Sequence, residues 1–387
     1  MQQTTTMRSI MSDFADSTGL TCASPEPRRY LWTDAFAVCN YLELYRQTGD
    51  MEELQLALKL VDQVHYTLGR FHKDSKHSGW LSGMDEEQAR LHPTIAGLRI
   101  GKQLNERQAN EDYDDRLEWD RDGQYFHYLT KWMFALNRVS QVTGKSIYNQ
   151  WALELARASH AAFTYTPVSG GLKRMYWKMS VDLSRAQVPS MGQHDPLDGL
   201  ITYLQLEATA NGFPETPAGL SLKIEIEELE VMCAGGNWAT EDPLGIGGLL
   251  TDAYRLVQLI ETHQLRETSR LEALLHDIEI SLHAFGSNNQ LNLPAEYRLA
   301  FRELGLAIGL QAIGRMQKGI EQHPENFTNT DLLKTRLSKL SRFQAINEFI
   351  EHFWLQPEHR SVDSWLEHVD INNVMLATCM APDGYLN

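Results

Sequence analysis

The sequence predicts an all-α chain built from helical hairpins. Three observations carry this: apolar residues recur at steps of three and four through most of the chain, glycine or a cap residue punctuates each run, and strand-like alternation is confined to two loops. The runs fall into pairs joined by short turns, at a loose period of about 50 to 90 residues, which is the rhythm of a hairpin repeat.

Residues 1–27 are polar, with a short helix expected near Met7–Ala15 and a stop at Pro25 and Pro27. The first pair begins after Arg29. Tyr30, Leu31, Trp32, Phe36 and Val38 lead to Thr48 and Gly49, a helix with a glycine stop, and Met51 to Phe71 follows with Leu54, Leu58, Val61, Val64 and Leu68 on one face. A second pair runs Gln124–Thr143, closed by Gly144, and Tyr148–Phe163. Leu197–Asn211 with Leu220–Met232, and Gly245–Thr262 with Thr268–Phe285, make the third and fourth. Tyr297–Met316 with Asp331–Trp354 is the fifth, and a last helix is expected near Asp370–Met380. Asp195-Pro196 and Asp242-Pro243 read as N-caps followed by first-turn prolines, because the capping oxygen accepts an orphan N–H and proline has none to lose.

Two connections are long. His72–Arg121 contains Gly79-Trp80 and the stretch Leu91–Lys102, whose alternation suggests an extended hairpin; Ser169–Met191 carries Lys173, Arg174, Tyr176, Trp177, Lys178 and Arg185. A fifty-residue excursion rich in aromatics and glycine is expected to be functional. No Pro/Ser/Gly-rich linker interrupts the chain, so residues 28–387 are expected to form one domain behind an N-terminal segment 1–27.

Composition narrows the classes. Of 387 residues 42% are hydrophobic and 22% charged, ordinary for a globular protein, and a formal net charge of −16 repels a phosphate backbone, so nucleic acid is not an expected partner. Four scattered cysteines (Cys22, Cys39, Cys233, Cys379) form no C-x-x-C pair, and no metal or other cofactor is expected. No apolar run follows Arg8 and none reaches about 18 residues, so no membrane association and a cytoplasmic location are expected. The absence of H-E-x-x-H, P-loop, G-x-G-x-x-G and G-x-S-x-G patterns removes the common metalloprotease, nucleotide and serine-hydrolase readings.

The turn phrases Tyr45-Arg46-Gln47-Thr48-Gly49-Asp50 and Val142-Thr143-Gly144-Lys145 are each followed by a helix ending in Phe71 or Phe163, then by Gly79-Trp80 or Gly170-Gly171-Leu172. In this rhythm, from Arg29 to Asn387, the chain resembles the six-hairpin (α/α)6 toroid enzymes. These include inverting glycosidases, unsaturated glucuronyl hydrolases and N-acylglucosamine 2-epimerases. The resemblance implies an (α/α)6 barrel with its site where inner helices begin, the N-terminal segment supplying the twelfth element, and a small-molecule carbohydrate as partner.

On that arrangement several helix-start residues become candidates. Glycosidic cleavage uses two carboxyl groups, and pyranose faces stack on aromatic rings. Asp198, one turn inside its helix, is the expected catalytic carboxylate, acting with Asp34 or Asp122 from another hairpin and tuned by His194. Trp32, Tyr125, His127, Gln193, Trp238 and Trp177 are expected to contact sugar, with Arg99 and Arg174 available for an acidic group. Each has a plainer alternative. Helix-start acids are usually caps, Asp34 also suits a buried partner for Arg28 or Arg29, and the basic residues suit surface salt bridges. Three activities stay open: a glycoside hydrolase on a short oligosaccharide, a sugar epimerase using His92, His127 or His194 as acid and base, and a non-catalytic binding protein.

Overall fold

A computed structural model describes residues 2–22, 27–262, 265 and 268–387. The expected stop at Pro25 lies outside the described residues. The helices are α1 Gln2–Ser17, α2 Leu31–Thr48, α3 Met51–Leu68, α4 Glu86–Leu91, α5 Asp115–Asp120, α6 Phe126–Thr143, α7 Ser146–Phe163, α8 Asp195–Asn211 and α9 Lys223–Cys233. They continue with α10 Pro243–Glu261, α11 Ser269–Ser287, α12 Ala300–Gln322, α13 Thr330–Ser341, α14 Ala345–Leu355, α15 Asp363–Leu366, α16 Val369–Met380 and α17 Asp383–Leu386. Contacts group the chain into two compact units, residues 15–234 and residues 2–14 with 235–387.

In the first unit the sequence signals act locally as expected. Gly49 and Gly144 end α2 and α6 at φ 70° and 67°, a left-handed conformation that costs glycine nothing, and Asp50 caps α3 by accepting the Glu52 N–H at 3.1 Å. Helix α2 is buried without interruption from Leu31 to Leu44, whereas α3 buries only a stripe through Leu54, Ala57, Leu60, Val61, Val64 and Leu68. A helix buried all round beside one buried on a single face is the signature of an inner and an outer layer. Helix α6 exposes nothing before Gln141, whereas α7 exposes Ile147, Arg157 and Ala161.

Short strands of two or three residues flank α6 and α7 and lie in the connection to α8. β1 (Gln124–Tyr125) pairs antiparallel with β4 (Lys178–Met179), which pairs with β5 (Ala186–Val188); β2 (Thr164–Tyr165) pairs with β3 (Arg174–Met175). The hairpin expected over Leu91–Lys102 does not form. Leu91 closes α4, residues 93–96 turn, and the extended segment bonds to separate neighbours: Arg99 N–H to the Leu68 carbonyl, Ile100 N–H to that of Gly123, and the Leu31 N–H to the Ile100 carbonyl. The segment 97–100 is buried throughout, and its backbone bonds go to the end of α3, to the start of α2 and to loop backbone.

In the second unit α10 and α12 lie in close contact. A Cβ on Gly247 would stand 2.1 Å from the Gly305 carbonyl oxygen, so only glycine permits this approach. Asp242 caps α10 through the Gly245 N–H at 3.1 Å, with Pro243 in the first turn. The helix expected over Asp331–Trp354 is broken into α13 and α14 by a turn at 342–344. At the N-terminus, α1 is longer than the expected Met7–Ala15 helix. Its Gln3 donates to the carbonyl of Met380, the last residue of α16, at 2.8 Å, and Met7, Ile10, Met11 and Phe14 are buried.

Candidate functional site

The first unit gathers polar and aromatic side chains where α6 and α8 begin. Sequence predicts Asp195 as the cap of α8, but the structure places His194 at that position, with its carbonyl accepting the Asp198 N–H at 3.0 Å. Asp195 is thereby the first helical residue and Pro196 the second. Its carboxylate turns inward, 5% exposed, with one oxygen 3.7 Å from His127 Nδ1 and the other buried without a hydrogen-bond partner among the described residues. Burial, then the neighbouring charge of Asp198, pushes the Asp195 pKa up to about 7, with Lys131 opposing.

Asp198 lies one turn on, equally buried but differently held. Lys131 Nζ donates to one oxygen at 2.7 Å and the Thr130 hydroxyl to the other. An ammonium and a hydroxyl donor both favour the ionised form. Two carboxyl groups one helical turn apart therefore sit in opposed environments. His127 leaves 31% of its side chain exposed, yet it is ringed by Tyr125, Tyr128 and Trp177. Removal from water, then the Lys131 charge, pushes its pKa down to about 4, so it is neutral near pH 7.

An aromatic platform surrounds these groups. Trp177 lies 5.1 Å from the Tyr125 ring and stacks on His127 at 6.3 Å, and Trp119, 53% exposed, meets Trp177 edge-on at 4.9 Å. Tyr128 and Tyr30 share a 2.8 Å hydrogen bond between their hydroxyls. Beneath Tyr125, Lys178 is fully buried and spends its three donors on the Glu118 carboxylate (2.9 Å) and the carbonyls of Glu118 and Arg121 (2.6 and 2.8 Å). Lys102 Nζ stands 5.9 Å from the Trp119 ring and 5.7 Å from that of Tyr125.

Other sequence candidates take other places. Asp34 is 1% exposed, accepts the Tyr30 N–H at 2.9 Å and lies 3.4 Å from Arg29. Asp122 is ion-paired to Arg99 and accepts the N–H groups of Gly101 and Gly123 at 3.1 and 3.0 Å; Arg99 also donates to the carbonyls of Arg70 and Thr67. This pair walls a cavity of about 470 Å³ that also involves His72, His77, Asn105 and Arg121. Trp32 is buried against Phe36, Arg174 and Gln193 are exposed, and His194 is half-buried. Trp238 belongs to the second unit, where its backbone N–H donates to the Asp277 carboxylate. Of the expected residues, the structure brings together Asp198, Tyr125, His127 and Trp177. Thr130 and Lys131 escaped sequence reading, although they lie three and four residues beyond His127, the spacing that returns to one helix face.

No protein-family model matches the chain, and no curated protein matches it. Solved structures do. A GH76 α-1,6-mannanase from Salegentibacter sp. HEL1_6 is 10% identical, over 98% of this chain and 99% of that one, with a TM-score of 0.53; an inactive variant of it was solved with α-1,6-mannotetrose. A GH76 α-mannanase from Bacteroides thetaiotaomicron is 8% identical over 97% and 96%, TM-score 0.54. A possible GH105 member from Klebsiella pneumoniae is 11% identical over 100% and 93%, TM-score 0.52. The likeness shows the fold, which is the six-hairpin (α/α)6 toroid fold.

Proposed function

We propose that the protein is a glycoside hydrolase acting on a short oligosaccharide, with its chemistry at the starts of α6 and α8. One observation carries the reading: two buried carboxyl groups one helical turn apart are held differently, Asp195 pushed toward the acid by burial and Asp198 paired with the Lys131 ammonium at 2.7 Å. Such a division is how two carboxylates take separate roles near neutral pH. Asp195 protonates the departing glycosidic oxygen, and neutral His127 lies beside it to exchange the proton. Asp198 attacks the anomeric carbon as that bond breaks, forming a glycosyl-enzyme, and water activated by the Asp195 carboxylate then releases the sugar and restores both groups. Trp177 and Trp119 provide ring faces for the sugar. The shared fold of the two GH76 mannanases supports a carbohydrate substrate, and a cytoplasmic location goes with this reading.

Residues three apart on a helix have Cβ atoms about 5–6 Å apart, nearer the roughly 5–5.5 Å carboxyl spacing of retaining enzymes than the roughly 6.5–9.5 Å of inverting ones. Incubation with a panel of short α- and β-linked oligosaccharides, followed by NMR, tests both points. New reducing ends of retained configuration are expected. Inverted product would remove Asp195 and Asp198 as the catalytic pair. Epimerisation, for which neutral His127 is a suitable base, would instead leave the number of reducing ends constant and incorporate solvent deuterium at one carbon. A binding protein would do neither.

A further inference from the structure

Among the described residues, Lys102 is a cation of this site that no hydrogen bond or ion pair occupies. Arg99 is spent on Asp122 and Lys131 on Asp198. Lys178 has all three donors occupied. Lys102, by contrast, has no hydrogen bond or ion pair among the described residues, and its half-buried ammonium rests against the rings of Trp119 and Tyr125. The acids nearest it are largely committed: Glu118 to Lys178 and Arg107, Asp122 to Arg99, while Asp120 is exposed. An ammonium held beside aromatic faces, partly out of water, keeps three donors for an incoming anion.

We infer that the saccharide bound here carries a carboxylate, a uronic acid residue, and that Lys102 is the side chain that recognises it. The inference rests on the carbohydrate reading above and adds the substrate class. The sugar ring stacks against the Trp119 and Trp177 platform while its carboxylate replaces water at Lys102. A neutral sugar keeps the stacking and forgoes the charged hydrogen bond. Burial, then the charge of Lys178, draws the Lys102 pKa down to about 8 against the opposing pull of Asp120, Asp122 and Glu118, with the uncharged Tyr125 ring as the remaining neighbour. The ammonium is thus present at neutral pH and fades above about pH 8.

The test measures binding of glucose and glucuronate, galactose and galacturonate, and mannose and mannuronate by calorimetry or saturation-transfer NMR. For at least one pair the uronate is expected to bind about tenfold more tightly at low salt. Added salt should narrow that gap, as should raising the pH through about 8. Lys102→Gln should lower uronate affinity to that of the neutral sugar and leave the neutral sugar unchanged, and Lys102→Arg should retain most of the preference. Neutral sugars binding as well as uronates to the wild-type protein would overturn this inference and leave the carbohydrate reading standing. So would equal loss of both ligands in Lys102→Gln. Failure of all six sugars to bind would overturn both.

Discussion

Replacing Asp195 by Asn separates a buried proton-holding carboxyl group from an ordinary helix-start acid. The group is 5% exposed and its pKa is near 7 rather than 3.8. A raised acid pKa means that the folded state binds the proton more tightly than the unfolded chain does. Wild-type stability therefore falls as pH rises from 3.8 toward 7 and the penalty is constant above that. A shift of about 3 units corresponds to roughly 4 kcal/mol at pH 8 and roughly 1 kcal/mol at pH 4.5, since one unit is about 1.4 kcal/mol. Asparagine has the same shape and no titration, but its buried amide lacks a partner, a cost of roughly 1–3 kcal/mol that does not depend on pH. That cost cancels when the two pH values are compared. Urea unfolding of Asp195→Asn and wild type at both pH values should show the variant gaining about 3 kcal/mol relative to wild type on going from pH 4.5 to 8. In the same variant turnover should fall about 10²- to 10⁴-fold, as for loss of a general acid. A stability difference that ignores pH would refute the buried-proton argument. Undiminished turnover would refute the catalytic one.

Asp198→Asn should abolish turnover and also cost about 3 kcal/mol, because Lys131 loses its carboxylate; Asp198→Asn with Lys131→Met should recover most of that stability in urea melts but no activity, and an active double variant would take Asp198 out of the chemistry. His65 is buried, accepts the Trp132 indole N–H at 3.1 Å, and burial pushes its pKa down to about 3. A lowered base pKa means stability is lost as pH falls from 6.5 toward 3, so His65→Gln, which keeps an acceptor, should reduce acid destabilisation between pH 6.5 and 4 by roughly 3 kcal/mol in urea melts. Trp177→Ala should weaken sugar binding about three- to tenfold by calorimetry with little change in the unfolding midpoint, since the ring is partly exposed.

The sequence by itself determined the helices and most of their ends. Gly49, Gly144 and Asp50 act through backbone conformation and hydrogen bonds within a few residues, so their signals survive without the rest of the molecule. Apolar spacing likewise marked the buried face of α3, while the burial of α2 all round is seen only in the structure. What only tertiary structure decided was the state of each charged group. Asp34, Asp122 and Asp198 are all acids near helix starts in sequence, and an electrostatic environment is a sum over groups far apart in the chain. Arg99 stands 23 residues from Asp122, and Lys131 67 from Asp198. The same holds for Asp195. The sequence offers it as a cap, but His194 holds the cap position, and the Asp195 carboxyl group is buried with its pKa pushed up.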